Sequence, residues 1–235
     1  MRISNAGTRD KWIRETLAKI NPGGEILDVG AGSCQYKKYC NHLVYKSQDV
    51  AQYDGVGNCK GLHIDDADYA NLDFVCDLYD IPDTHQYDAV LCTEVIEHVT
   101  DPVKAIAKLC TLTAPGGTLI LTAPFCSLTH YAPHHYATGF SEYFYRHHLL
   151  SNGLEIESLE PNGGYFDYLS QEIGRVGKVF QTYHDRKIDF ASRACLQVAR
   201  FALDQLAAKD GSRMSRKSSE LLIFGWHVKA KKPEA

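Results

Sequence analysis

Paired metal-binding or redox cysteines are missing from this sequence: it carries eight cysteines but no Cys-x-x-Cys. Cys34, Cys40, Cys59, Cys76, Cys92, Cys110, Cys126 and Cys195 are scattered, several inside apolar strand-like runs. They read as small core residues of a protein in a reducing compartment, so a zinc knuckle or thioredoxin-like site has no support. Long apolar runs are missing too. No stretch approaches a membrane span, and Met1 to Arg14 carries charges where a signal peptide needs an apolar segment. The expectation is a cytoplasmic protein with no membrane segment. Charge of one sign is not in excess either: a net charge of −4 and a pI near 6.2 give no global pull toward nucleic acid.

What is present is enough chain, 235 residues with 44% hydrophobic, for one sizeable core and a small appended subdomain. Strand-like runs alternate with helical patterns through the first two thirds, which predicts an α/β protein with a parallel sheet flanked by helices. Strands are expected near Glu25 to Val29, Leu43 to Asp49, Leu72 to Cys76, Tyr87 to Cys92, Gly117 to Thr122, Glu155 to Leu159 and Glu220 to Val228. Helices are expected at Thr8 to Ile20 with Thr8 as cap, Cys34 to Asn41, Asp101 to Leu112 with Asp101 as N-cap and Pro102 first, and Gly139 to Ser151. Two more, Phe166 to Tyr183 and Ile188 to Ala208, delay the last strand. The whole chain, 1–235, reads as a single domain with an N-terminal helix in 1–21 and a helical insertion or lid at 165–219. The apolar positions Phe190, Ala194, Val198, Phe201 and Leu206 predict a helix covering one edge of the core, with a lid or homodimer surface as the other reading. Lys209 to Ser219 reads as an exposed loop, in which Arg213, Arg216 and Lys217 are candidates to clamp a phosphate or carboxylate.

The chemistry begins at Ile26-Leu27-Asp28-Val29-Gly30-Ala31-Gly32-Ser33-Cys34. A buried strand ending in Gly-x-Gly lets the backbone pass close under a ligand. Gln35 occupies the place of the third glycine of the dinucleotide fingerprint, and the Asp28 carboxylate would repel a diphosphate on this turn but suits an ammonium or sulfonium group. Nineteen residues after Gly30, Asp49 ends the second strand, where an acid can accept from both hydroxyls of an unphosphorylated ribose. Asp54 is a competitor for that role. Asp77 closes the third strand, and the fourth runs into Thr93-Glu94-Val95-Ile96-Glu97-His98-Val99. Acids at the ends of four strands line the crevice where open α/β sheets bind ligands.

These segments, with Tyr87-Asp88-Ala89-Val90-Leu91-Cys92 and Ala114-Pro115-Gly116-Gly117-Thr118-Leu119-Ile120-Leu121-Thr122-Ala123-Pro124, resemble the class I S-adenosylmethionine-dependent methyltransferases, and within them the methyltransferase type 11 group. The resemblance spans roughly residues 22 to 170. It implies a Rossmann-like, mostly parallel seven-stranded sheet in the order 3-2-1-4-5-7-6 with the last strand antiparallel. It also implies that Asp28, Gly30 and Gly32 hold the methionine part of S-adenosylmethionine, Asp49 the ribose, and Asp77 with Leu78 the adenine. Glu94 would close the site beside the methyl group, and Glu97 and His98 match the family's Glu-His pair.

The acceptor side needs positioning and, for a hydroxyl, a proton acceptor. Thr129-His130-Tyr131-Ala132-Pro133-His134-His135-Tyr136 follows the fifth strand and offers three histidines, His130 first, with His134 and His135 as competitors. Pro133 opposes a regular helix here, and no carboxylate or cysteine lies nearby in sequence, so no metal site is expected. Tyr131, Tyr136 and, in the loop Asn162-Gly163-Gly164-Tyr165, Tyr165 are candidate substrate contacts. The resulting expectation is O-methylation of a sugar, nucleotide-linked sugar or other small metabolite. The alternatives are a small-molecule N-methyltransferase or a non-catalytic S-adenosylmethionine-binding scaffold.

Overall fold

The computed structural model describes residues 4–62, 68–211 and 216–234. Seven strands form one sheet: β1 (Glu25–Val29), β2 (Val44–Asp49), β3 (Phe74–Val75), β4 (Tyr87–Thr93), β5 (Thr113–Pro124), β6 (Glu155–Asn162) and β7 (Gly225–Lys231). Their order is β3-β2-β1-β4-β5-β7-β6, as the resemblance implied. β1 runs parallel to β2 and β4, β2 to β3 and β4 to β5, while β7 pairs antiparallel with β5. Ile26, Leu27 and Val29 of β1 and Ala89 to Cys92 of β4 are fully buried, the near-continuous apolar pattern of central strands covered on both faces. The chain order reverses between β1 and β4, and at such a switch point the loops beyond the strand ends part into a crevice.

Helix α1 (Asn5–Leu17) places Ile13 and Leu17 in a cluster with Ile26, Ala89, Leu91 and Ile120. Helix α2 (Pro102–Leu112) opens as predicted: Asp101 accepts from the Lys104 amide at 3.0 Å and Pro102 stands first. Its buried face is Ala105, Ile106, Leu109, Cys110 and Leu112. Helix α3 (Glu142–Ser151) buries Tyr145 and Leu149, and α4 (Tyr165–His184) and α5 (Phe190–Lys209) come before β7.

Several expectations shift. The helix expected at Cys34 to Asn41 is one 3-10 turn, Lys37–Tyr39, because Cys34 sits at φ 54° and the chain bends to bury Tyr36 and Cys40 against Ile13 and Leu17. Helix α1 starts at Asn5, so Thr8 is no cap; its hydroxyl donates to the Ser4 carbonyl at 2.8 Å within the first turn. β5 begins at Thr113 rather than Gly117, β3 shrinks to two residues, and the last strand begins at Gly225 because Lys217–Glu220 forms a 3-10 turn.

The chain divides into two compact units. One holds Arg9–Glu160 and the chain from Gly225 onward. The other holds Pro161–Phe224 with the start of α1 up to Thr8. In the second unit Phe190, Val198 and Phe201 of α5 are exposed, at 87%, 70% and 65%. Arg213 lies outside the described residues. Arg216 is not an exposed clamp: its side chain is 5% exposed, Nε donates to Asp167 Oδ2 at 3.0 Å, and Nη1 donates to the Ala207 and Gly211 carbonyls. Burial raises the Asp167 pKa despite this partner. Removing one member of a buried pair strands the other charge, so Arg216→Met is expected to lower stability by about 3–5 kcal/mol, and adding Asp167→Leu to recover much of it. Chemical unfolding followed by circular dichroism measures both.

Candidate functional site

Beyond the carboxyl ends of the parallel strands opens a cavity of about 290 Å3. Gly30 and Gly32 line it after β1, Gln48, Asp49 and Val50 at β2, Asp77 and Leu78 after β3, and Glu94, Val95 and His98 after β4. Tyr131, His134 and Tyr136 line it from the segment after β5. Six of the seven residues singled out for the cofactor, and two of the three tyrosines, therefore line one cavity.

The Gly-x-Gly turn is held by the acids around it. Gly30 has φ 68° and Gly32 φ 51°, a region that costs a residue with a Cβ. A Cβ on Gly30 would stand 2.3 Å from Val95 Cγ2, so the turn and the chain after β4 touch only because Gly30 has no side chain. Asp49 Oδ2 accepts from the Gly32 amide at 2.9 Å and Oδ1 from the Ala51 amide at 2.9 Å, which fixes the carboxylate on the cavity wall. Asp54 instead caps its own turn, accepting from Val56 and Gly57 amides. Asp77 accepts from the Tyr79 amide at 3.0 Å and so presents Leu78 at the start of a 3-10 turn.

Asp28 is not among the residues that line the cavity. It is 1% exposed, at the buried end of β1, and accepts from the Tyr45 hydroxyl at 2.6 Å. Burial pushes its pKa up to about 7. The folded state then keeps a proton that the unfolded chain releases near pH 3.9. Stability from this group is complete below about pH 4 and is lost as pH rises to about 7, up to about 4 kcal/mol. Asp28→Asn is expected to flatten that part of the stability profile. Urea unfolding of both proteins at about pH 5 and about pH 8 reads the difference.

Glu94 is clamped by two groups that sequence reading missed. Arg9 of α1 reaches Glu94 Oε2 at 2.6 Å, and the Thr122 hydroxyl of β5 donates to Oε1 at 3.0 Å. Glu94 itself sits at φ 54°, unfavourable for a residue with a Cβ and held by these contacts. Arg9 lies 85 positions away in sequence, so no local pattern signals it.

The turn after β4 carries the segment after β5. The Glu97 carbonyl accepts from the Tyr136 and Ala137 amides at 2.9 and 3.1 Å, and His98 Nδ1 lies 2.6 Å from the His134 carbonyl. His98 and Glu97 are in a 3-10 turn, Ile96–His98. The Glu97 side chain is fully buried, and burial followed by the nearby Glu94 holds its pKa well above the usual range, which favours the neutral acid. Burial also drives the His98 pKa down to about 3, so its ring is neutral. Of the three predicted histidines, His134 lines the cavity, while the rings of His130 and His135 lie 4.7 and 6.0 Å from that of His98. The segment is not helical, in keeping with Pro133. Tyr165 opens α4 in the other unit, its amide accepted by the Ser218 hydroxyl at 3.0 Å.

Sheet order and crevice together define a Rossmann-like protein with an acid-rimmed site at its switch point. Residues 5–175 match the methyltransferase-domain family, and the chain belongs to it, among the class I S-adenosylmethionine-dependent methyltransferases. It is 32% identical over 120 residues to the ubiquinone biosynthesis O-methyltransferase of Acinetobacter baylyi, covering 46% of this chain and 47% of that protein. The same named enzyme of Psychrobacter arcticus is 32% identical over 108 residues, covering 43% and 40%. The chain thus spans about half the length of the curated relatives it matches, or less. Among solved structures, the magnesium protoporphyrin IX methyltransferase of Synechocystis PCC 6803 with bound S-adenosylmethionine aligns with TM-score 0.51 and 14% identity, over 97% of this chain and 80% of that one. The cyclase SpnF aligns with TM-score 0.52 and 17% identity, over 95% and 82%. These two likenesses speak to the fold alone. The residues present fit the family's cofactor: the Gly30 and Gly32 turn and the three carboxylates Asp49, Asp77 and Glu94 line one cavity and suit a ligand with ammonium, sulfonium and ribose hydroxyl groups.

Proposed function

We propose that this protein transfers the methyl group of S-adenosylmethionine to an oxygen of a small acceptor, a sugar, nucleotide-linked sugar or other small metabolite. The observation that carries the reading is the single cavity lined both by Gly30, Gly32, Asp49 and Asp77 and by Tyr131, His134 and Tyr136. In this reading Asp49 accepts from the ribose hydroxyls, Asp77 and Leu78 meet the adenine, and Gly30 and Gly32 admit the methionine part. Glu94, oriented by Arg9 and Thr122, faces the reacting end. Asp28 acts from beneath the turn rather than by contact.

When bound, the cofactor supplies an electrophilic methyl on a cationic sulfur. What the chain must add is alignment of the acceptor oxygen and removal of its proton. Among His130, His134 and His135, the one on the cavity wall, His134, is assigned as the base. Tyr131, its ring 4.3 Å from that of Tyr53, and Tyr136 offer flat apolar surface for the acceptor. The name of the curated relatives, an O-methyltransferase, supports oxygen over nitrogen. Eight free cysteines fit the reducing cytoplasm, and among the described residues no helix is long and apolar enough to cross a membrane.

Incubation with S-adenosylmethionine and a panel of sugars, nucleotide sugars, phenols and amines, read by S-adenosylhomocysteine release, tests the reading. Release that depends on a hydroxyl acceptor supports it. Release with amines alone replaces oxygen by nitrogen, and cofactor binding without release across the panel favours a non-catalytic role.

A further inference from the structure

We propose that His98, His130 and His135 form a site for one divalent transition-metal ion, zinc being the best chemical match. The site goes beyond the methyl-transfer reading. Each residue offers a ring nitrogen, and the three nitrogens lie within 4.8 Å of one another. A tetrahedral zinc ion with bonds of about 2.0–2.1 Å needs its nitrogens roughly 3.4 Å apart, so modest side-chain rotation closes the set.

Two further observations separate this cluster from histidines that merely pack. First, the outer nitrogens are already oriented. His98 Nδ1 lies 2.6 Å from the His134 carbonyl and His130 Nδ1 2.8 Å from the Leu128 carbonyl. A ligating histidine characteristically donates its other N–H in this way, which fixes the ring. Second, polar atoms are buried without hydrogen bonds among the described residues: His98 Nε2, both ring nitrogens of His135, and both carboxylate oxygens of Glu97. Buried groups of this kind are normally satisfied, and a cluster of them facing one another is what a bound cation would resolve. Glu97 Oε1 lies 3.7 Å from His98 Nε2, at the edge of the cluster.

Three histidines with a fourth position left for water or a substrate oxygen is a catalytic zinc arrangement, and imidazole ligands disfavour magnesium and calcium. His98 belongs to the cavity wall, so the site adjoins the proposed acceptor position. Sequence spacing concealed it, because His98 joins His130 and His135 from the turn after β4.

Chelator-treated protein is titrated with Zn2+ by calorimetry and with Co2+ by visible spectroscopy. The expected result is one ion per chain and a tetrahedral Co2+ spectrum. His130→Ala and His135→Ala should each weaken binding by about 100-fold, the upper end of losses known for groups that merely support metal ligands. His134→Ala in the same segment and His147→Ala on the exposed face of α3 should bind as the parent does. S-adenosylhomocysteine affinity, measured on each variant, reports whether its fold is intact. Absence of stoichiometric binding by the parent, an octahedral Co2+ spectrum, or equal affinity in a folded His130→Ala or His135→Ala variant overturns the proposal. None of these readouts depends on turnover, so the metal site and the methyl-transfer reading stand or fall separately.

Discussion

Gly30→Ala is expected to weaken S-adenosylhomocysteine binding by about 100-fold or more and to lower stability as well. Two independent effects act at this position. The backbone sits at φ 68°, where a residue with a Cβ costs about 1–2 kcal/mol. The new methyl would also lie 2.3 Å from Val95 Cγ2 and 3.0 Å from Val95 Cγ1, so the turn after β1 or the turn after β4 must move. Either displacement misplaces a cavity wall, because Gly30 and Val95 both line it and Glu94 is the next residue. A factor of 100 corresponds to about 2.7 kcal/mol, the scale expected when a close backbone approach and the carboxylate beside it are both disturbed.

Controls isolate the steric part. Gly153 has φ 77° but a Cβ there would meet nothing within 4 Å, so Gly153→Ala should lower stability slightly and leave cofactor affinity unchanged. Val95→Ala in the Gly30→Ala background removes the clashing methyls and should recover part of the affinity. Calorimetric titration of the four proteins decides the matter. Cofactor affinity in Gly30→Ala equal to the parent's would remove the Gly-x-Gly turn from the binding site.

The same contact shows what the sequence could and could not disclose. Ile26 to Gly32 was legible because strand, acid and glycines are consecutive, and the backbone geometry they require is local. The central strands were legible for a related reason: β1 and β4 are apolar on both faces, and that pattern is written within five to seven residues. Val95 as the reason for Gly30 was not legible, since the contact joins two loops 65 positions apart. Arg9 on Glu94, His98 beside His130, and Arg216 on Asp167 fail for the same cause. Each is a charged or polar residue whose partner is distant in sequence and is supplied only by tertiary packing. The short turn at Lys37–Tyr39 is the converse case. Local propensity favours a helix there, and burial of Tyr36 and Cys40 overrides it.

For the acceptor half of the cavity, His134→Ala is expected to lower kcat with a hydroxyl acceptor by about 10²–10⁴-fold, the usual range for a lost general base. Cofactor affinity should stay near the parent's, because the cofactor is assigned to Gly30, Asp49 and Asp77 and the fold-bearing group of His134 is the backbone carbonyl that holds His98. Alanine keeps that carbonyl, so the loss reports the imidazole and not the turn. The effect must depend on the acceptor's own acidity. A sugar hydroxyl holds its proton tightly and needs the base most, a phenol needs it less, and an amine with a free lone pair needs it hardly at all. Measuring kcat of the parent and the variant along that series therefore separates proton removal from simple packing, which would slow all three acceptors alike. A uniform loss across the series would assign His134 to positioning and return the role of base to the groups around His98.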